Sequence, residues 1–118
     1  MAVTPQKELV QEYFEGFSAS DHPRILATLA DGVEWVIHGH RTTRGKAEFD
    51  SEIQAPGFSG SPELAIEQLF EDGQVVVATG IGRGNSDGHG PFRFAFNDVF
   101  TFDGGLIARV ESYVVPLG

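Results

Sequence analysis

The spacing of apolar residues along the chain changes from helical to extended near its middle. In the first segment, apolar side chains recur three and four positions apart: Leu9, Val10, Tyr13, Phe14 and Phe17. Thr4 is suited to cap the start of this segment, and Pro5 is favoured at a first helical position. The pattern therefore predicts an amphipathic first helix that buries its aromatic side.

A short second helix and a strand are predicted next. Asp21 can cap the helix, and Gly32 lies just past its end. Its apolar side chains are Ile25, Leu26 and Leu29. Residues 33–40, VEWVIHGH, then favour a strand that ends in a loop.

A third short helix is predicted over residues 45–54. Phe49 and Ile53 lie one turn apart there and so share one helix face. Pro56 and Gly57 are unfavourable for a continuing helix, and we expect them to end this half of the chain.

From Leu64 onward the pattern is that of strands joined by turns. Asp72-Gly73 between two apolar runs is a strong hairpin signal, and residues 103–105, DGG, predict a second turn. Residues 82–90 are expected to form a polar loop, and the glycines at 80–84 a twisted hairpin end. The order of helix, helix, strand, helix and four antiparallel strands predicts an α+β domain spanning residues 1–118, with helices on one face of a curved sheet.

One predicted strand, residues 92–102, carries a single acid among aromatic side chains. Phenylalanine occupies every second position, and Asp98 takes the place of one of them. Side chains two apart point to the same side of a strand, so Asp98 shares the phenylalanine face. Buried acids are rare unless they are paired or functional, and Asp98 is therefore the first candidate site residue.

Composition and charge narrow the classes of partner. The chain has 118 residues, with 17 acidic and 8 basic side chains and a formal net charge of −9. This charge repels phosphate backbones and anionic membrane surfaces, so we expect neither nucleic acid nor membrane as a partner. The chain has no cysteine and no signal-peptide pattern at its start, which favours a cytoplasmic location.

The chain resembles a known superfamily along almost its whole length. The order of elements, YFEGFSASDHPRILATLADGVEW (13–35) and NDVFTFDGGLIARVESY (97–113) are similar to nuclear transport factor two, ketosteroid isomerases and the SnoaL-like polyketide cyclases. The resemblance implies a cone: a curved, mainly antiparallel sheet wrapped around the long first helix, with a deep apolar pocket. It also implies a homodimer, formed through the outer sheet face that carries Ala95 and Val99.

The resemblance places Tyr13 and Asp98 at the positions of paired hydrogen-bond donors, which hold a developing enolate oxygen in ketosteroid isomerases. A carboxyl group among phenylalanines loses hydration, and this loss penalises its charged form more than its neutral form. Asp98 can therefore stay protonated near neutral pH and donate a hydrogen bond. Tyr13 and Asp98 are accordingly the candidate catalytic donors.

The position of the general base departs from that of the ketosteroid isomerases. Their base is an aspartate near the end of the first strand, whereas residues 34–45 here offer Ile37 and His38. The ordinary pKa of histidine lies near neutrality, so His38 is the candidate proton carrier. Alternation puts His38 on the strand face opposite Trp35 and leaves open which face lines the pocket.

A metal site and a cofactor are not expected. His38 and His40 share a strand face, but no third ligand follows at a recognisable spacing. The glycines near residue 82 precede a strand, whereas phosphate-cradling loops precede a helix.

Two functions from different classes remain open. The first is a cofactor-independent isomerase, cyclase or epoxide-hydrolase-like enzyme that acts on a small hydrophobic molecule through Asp98, Tyr13 and His38. The second is a non-catalytic module that binds a hydrophobic ligand or dimerises. In either case, the side chains expected to line the pocket are Trp35, Phe96, Phe100, Phe17 and Phe49.

Overall fold

Helix α1, Pro5–Ser18, begins as its sequence predicts. In the computed structural model, which describes residues 4–53 and 58–117, the Thr4 hydroxyl accepts a hydrogen bond from the Lys7 amide at 3.2 Å. This contact satisfies one of the free amides at the helix start, and Pro5 occupies the first turn. The buried side of α1 carries Tyr13 and Phe14, which confirms the predicted amphipathic helix.

Helices α2, His22–Leu26, and α3, Gly45–Ile53, are short and follow their predicted positions. Asp21 caps α2 through a hydrogen bond from the Arg24 amide at 3.2 Å. Helix α3 places the fully buried Phe49 against the sheet. The predicted end of the first half at Pro56 and Gly57, like Gln54, lies outside the described residues.

Six strands form one curved, open sheet. They are β1 Leu29–Ile37, β2 Arg41–Arg44, β3 Phe58–Asp72, β4 Val75–Ser86, β5 Gly90–Asp103 and β6 Leu106–Pro116. Their order in the sheet is β2-β1-β6-β5-β4-β3. The α+β prediction is confirmed, but the sheet is mixed because β1 pairs with β6 in parallel. The sequence pattern predicts no strand at β2, because its residues RTTR carry no apolar alternation.

The connections differ in part from those predicted from the sequence. The predicted β3–β4 hairpin is present, but its turn residues are Gly73 and Gln74, one position later than the predicted Asp72-Gly73, with Gly73 at a φ of 59°. The predicted polar loop at 82–90 is wrong, because β4 continues to Ser86 and β5 already begins at Gly90. Polar residues of this stretch, such as Arg83, occupy the exposed face of a regular strand.

The core lies between α1 and the concave face of the sheet. The Phe14 ring stacks on that of Phe96 with centroids 5.2 Å apart, and Tyr13 meets Phe100 edge-on at 5.0 Å. The phenylalanine face of β5 therefore packs against the helix, as its alternation predicts. Within residues 4–53 and 58–117, no helix has the length and apolar composition needed to cross a bilayer.

Candidate functional site

A cavity of about 210 Å³ opens between α1 and the inner face of the sheet. Most of its wall is aromatic or aliphatic. The lining residues are Tyr13, Phe14, Phe17, Trp35, Ile37, Ile53, Pro62, Leu64, Phe94, Phe96, Asp98, Ser112 and Val114. An apolar recess with a few converging polar groups is the usual form of a small-molecule site.

Asp98 is the only acidic residue in the described lining of this cavity. Its side chain is 7% exposed, and burial raises its pKa from 3.8 to about 7, against the opposing effect of a hydrogen bond from Ser112. Its Oδ1 atom is buried and has no hydrogen-bond partner among the described residues. A buried polar atom without a partner is costly, so the unpaired state of this oxygen calls for a functional explanation.

The other side of the Asp98 carboxyl is held by a short chain of hydrogen bonds. Asp98 and Ser112 are direct cross-strand partners in β5 and β6, and the Ser112 hydroxyl donates to the carboxylate. Ser112 Oγ in turn accepts a hydrogen bond from Trp35 Nε1 at 2.9 Å. Because the indole can only donate, it directs the Ser112 hydroxyl hydrogen away from itself and towards Asp98.

Tyr13 also lines this cavity, and its phenol hydroxyl is the next polar group of the site after Asp98 and Ser112. Burial, followed by the nearby charge of Asp98, raises its pKa well above the ordinary value of 10. Tyr13 therefore remains neutral and can donate a hydrogen bond. Its ring is fixed by edge contacts with Phe14 and Phe100, whose centroids lie 5.4 and 5.0 Å away. The fold thus brings together the two donors predicted from the sequence.

The five predicted wall residues fall into two groups. Phe17, Trp35 and Phe96 line the cavity. Phe49 and Phe100 are fully buried behind it and are not part of its lining. Phe49 stacks on the Trp35 indole with centroids 4.4 Å apart, so it supports the wall from the core side.

His38 lies on the opposite face of the sheet from Asp98 and Tyr13. Its ring stacks on Tyr113 with centroids 4.2 Å apart, and its Nε2 lies 3.5 Å from Glu111 Oε1. The inward residues of this part of β1 are Trp35 and Ile37, which line the cavity. The structure therefore does not bring the predicted proton carrier to the candidate donors.

The family of the chain follows from a comparison with known domains. The model of the SnoaL-like domain matches residues 10–110. The chain belongs to the SnoaL-like domain family. A comparison of this SnoaL-like protein with curated proteins found no match.

Solved structures confirm the fold of this SnoaL-like domain. An NTF2-like protein of unknown function from Burkholderia pseudomallei is 24% identical with a TM-score of 0.88, over 94% of this chain and 91% of the other. A putative polyketide cyclase from Xanthomonas campestris pv. campestris is 25% identical with a TM-score of 0.84, over 92% and 89%. An LEH-like epoxide hydrolase from M. tuberculosis is 19% identical with a TM-score of 0.80, over 93% and 82%.

The two histidines considered as metal ligands, His38 and His40, contact different glutamates in this SnoaL-like domain. His40 Nε2 contacts Glu52 at 3.0 Å, whereas His38 faces Glu111. In the described part of the chain, no three metal-ligating side chains of His, Cys, Asp or Glu form a cluster.

Ser112 is the main site residue that the sequence analysis missed. It lies in β6 between Val110 and Val114, which share its face. A lone polar residue on an otherwise apolar strand face is the same signal that identified Asp98. The direct pairing of these two residues depends on the β5–β6 register, which the turn at 104–105 and the register shift between Thr101 and Phe102 set together.

Proposed function

We propose that this SnoaL-like domain binds a small, planar hydrophobic molecule and acts on one of its oxygen atoms by acid/base chemistry without a cofactor. The observation that carries this proposal is the buried, unpartnered Oδ1 of Asp98, a residue in the lining of an apolar cavity. A protonated carboxyl there would donate a hydrogen bond to a ligand oxygen and stabilise negative charge developing on it.

The size of the cavity limits the substrate class. An engineered apolar cavity of about 150 Å³ holds a benzene molecule. The cavity here has about 210 Å³ and therefore suits a molecule of one or two fused rings. Aromatic walls formed by Phe17, Trp35 and Phe96 favour a flat ring system over a branched chain.

A pKa near neutrality suits Asp98 to proton transfer. At a pKa of about 7, both the protonated and the ionised form are populated at neutral pH. The ionised form can accept the α-proton of a bound ketone, and the protonated form that results can return a proton to the enolate. When water opens an epoxide, the protonated form can donate its proton to the alkoxide and recover one from the water that has attacked. Tyr13 would donate a second hydrogen bond to the enolate or alkoxide oxygen. Isomerase, cyclase and epoxide-hydrolase-like reactions all develop negative charge on an oxygen atom, which these two donors would stabilise.

A non-catalytic binding module is the second candidate. Apart from Asp98, Tyr13 is the only titratable group in the described lining, and its raised pKa keeps it neutral. The described cavity wall therefore offers no separate general base. This observation supports a role in which Asp98 and Tyr13 only orient a bound ligand.

A binding titration tests the role of Asp98. The probe is 2-naphthol, a planar bicyclic phenol whose fluorescence changes on leaving water. We expect Asp98→Ala to weaken binding about tenfold or more, because the hydrogen bond to the ligand oxygen is lost. Asp98→Asn keeps a hydrogen-bond donor, so its affinity should lie between those of the wild type and Asp98→Ala. Tyr13→Phe should weaken binding by a smaller factor than Asp98→Ala. Asp103→Asn, which neutralises an exposed carboxyl at the end of β5, is the matched control.

A turnover assay separates the enzyme from the module. The substrate is 2-tetralone, a bicyclic enolisable ketone, and NMR follows the exchange of its α-protons for deuterium in deuterated buffer. Catalysed exchange that Asp98→Asn abolishes would support the enzyme. Binding of naphthol without any catalysed exchange would favour the module. Binding unaffected by Asp98→Ala would contradict both roles of this carboxyl.

A further inference from the structure

Three consecutive glycine–phenylalanine pairs cross the inner face of β4 and β5. Gly80 lies opposite Phe96, Gly82 opposite Phe94, and Gly84 opposite Phe92. These glycines lie within β4, in the part of the strand that approaches the β4–β5 hairpin connection, where the sequence predicts a twisted hairpin end. None of the three has a φ in the left-handed region, so the backbone conformation does not require glycine there.

At Gly82, an aromatic ring fills the space that the side chain of any other residue would need. A Cβ atom built on Gly82 would lie 2.1, 2.4 and 2.8 Å from ring carbons of Phe94. These distances are far below van der Waals contact, and the three nearest atoms all belong to this ring. The Phe94 ring therefore lies flat on the strand at Gly82, in the arrangement by which aromatic residues cover strand glycines.

This flat placement of Phe94 bears directly on the cavity. Phe94 lines the cavity, and so does Leu64, the partner of Gly82 on the other neighbouring strand. Along β5 the Phe94 ring is flanked by the rings of Phe92 and Phe96, with centroids 5.8 and 6.5 Å away. A ring displaced from Gly82 would therefore move into the adjacent free volume, which is the cavity.

We propose that Gly82 sets the size of the cavity by allowing Phe94 to lie flat, and that this residue thereby determines whether a bicyclic ligand fits. The proposal rests on the proposed function in taking this cavity as the ligand site. A benzene-sized group already fills a cavity of about 150 Å³. A phenyl ring raised into the 210 Å³ present here would leave room for little more than a single small group.

The neighbouring glycines provide contrasts. A Cβ on Gly80 would lie 2.1 Å from the backbone oxygen of Ala65, so a side chain there would disturb the β3–β4 pairing itself. A Cβ on Gly84 would lie 3.0 Å from the nearest atom of Phe92, which is not among the lining residues of the cavity. Gly84→Ala is therefore the matched control for Gly82→Ala.

Quenching of tryptophan fluorescence by acrylamide tests the proposal without any ligand. Trp35 is the only tryptophan in the chain and lines the cavity. We expect Gly82→Ala to lower the Stern–Volmer constant about twofold or more, because the raised ring fills most of the space beside the indole. Gly84→Ala should leave it unchanged, and Gly82→Ala/Phe94→Ala should restore or exceed the wild-type value.

Ligands of two sizes test the consequence for specificity. Gly82→Ala should weaken binding of 2-naphthol about tenfold or more while changing the affinity for phenol much less. The double variant with Phe94→Ala should recover 2-naphthol binding. If the wild-type protein binds neither compound, the proposed function fails, and the acrylamide result still decides whether Gly82 controls the cavity.

Specific outcomes would overturn the proposal. Wild-type quenching in Gly82→Ala would show that Phe94 does not enter the cavity. If Gly82→Ala alone failed to fold, a folded double variant with wild-type quenching would locate the conflict in the Phe94 ring and support the proposal. A double variant that also failed to fold would overturn it, because the conflict would then lie elsewhere.

Discussion

Asp98 and Ser112 face each other across β5 and β6, and both side chains lie on the inner face of the sheet. The serine holds one side of the carboxyl, and Trp35 orients the serine. The other oxygen, Oδ1, is buried and has no hydrogen-bond partner among the described residues. One oxygen of the carboxyl is thus hydrogen-bonded and the other is buried without a partner, and the resulting properties of Asp98 are testable separately from any ligand.

The raised pKa of Asp98 predicts a specific dependence of stability on pH. The group titrates near its ordinary value of 3.8 when unfolded and at about 7 when folded. Between these values the folded state holds a proton that the unfolded state has released, so the free energy of unfolding falls as pH rises. The contribution of Asp98 is fully present below about pH 4 and is lost once pH passes about 7.

Asp98→Asn removes this titration and isolates its effect. We expect the variant and the wild type to be similar in stability near pH 4, and the variant to be more stable near pH 8 by up to about 4 kcal/mol. Urea unfolding at several pH values measures the difference. A gap between the two proteins that stays constant over this range would contradict a folded-state pKa near 7.

Loss of the Ser112 hydroxyl should raise the pKa of Asp98 further. The hydroxyl donates to the carboxylate and so favours its charged form. We expect Ser112→Ala to raise the pKa by about one unit, measured by carbon NMR of the carboxyl. Ser112→Thr keeps the hydroxyl and should retain a value near that of the wild type. An unchanged pKa in Ser112→Ala would show that the serine does not act on Asp98.

His38→Gln should leave ligand binding unchanged. The histidine stacks on Tyr113 and faces Glu111, on the side of the sheet away from the cavity. We expect its substitution to change neither the affinity for 2-naphthol nor any exchange of 2-tetralone protons, in contrast to Asp98→Ala. A loss of either activity would restore His38 as a proton carrier.

The outer face of the sheet is expected to form a homodimer. Val115 is 58% exposed there, next to its cross-strand partner Ala95, which in turn lies opposite Ile81. Contiguous apolar residues that are exposed, like Val115, or half-buried, like Ala95 and Ile81, are typical of interaction surfaces. Light scattering should give a dimer mass for the wild type and a monomer mass for Val115→Asp. Leu106→Asp, at the start of β6, is the control, and a monomeric wild type would refute the expectation.

Local patterns in the sequence were sufficient for much of this architecture. Thr4 and Pro5 marked the start of α1, and the alternation of phenylalanine placed Asp98 on the inner face of β5. These features depend on neighbours a few positions away, where capping and side-chain periodicity act. The pairing of Asp98 with Tyr13 came from the family resemblance.

Other features depend on contacts between distant segments. Alternation places Trp35 and His38 on opposite faces of β1. It does not determine which face points into the cavity, because that depends on the parallel pairing of β1 with β6. The polar strand β2 is held by β1 and has no apolar pattern of its own. The role of Gly82 became visible only from the ring of Phe94, a residue on another strand.

The parallel pairing of β1 with β6 also has a consequence for the order of folding. Trp35 and Ser112, whose hydrogen bond supports Asp98, are 77 positions apart in the chain. Contacts at such a separation require the closure of a long loop, and they form more slowly than hairpins between adjacent strands. The cavity is therefore complete only when β6 has paired with β1, and a growing chain on the ribosome has no complete cavity until β6 has been released.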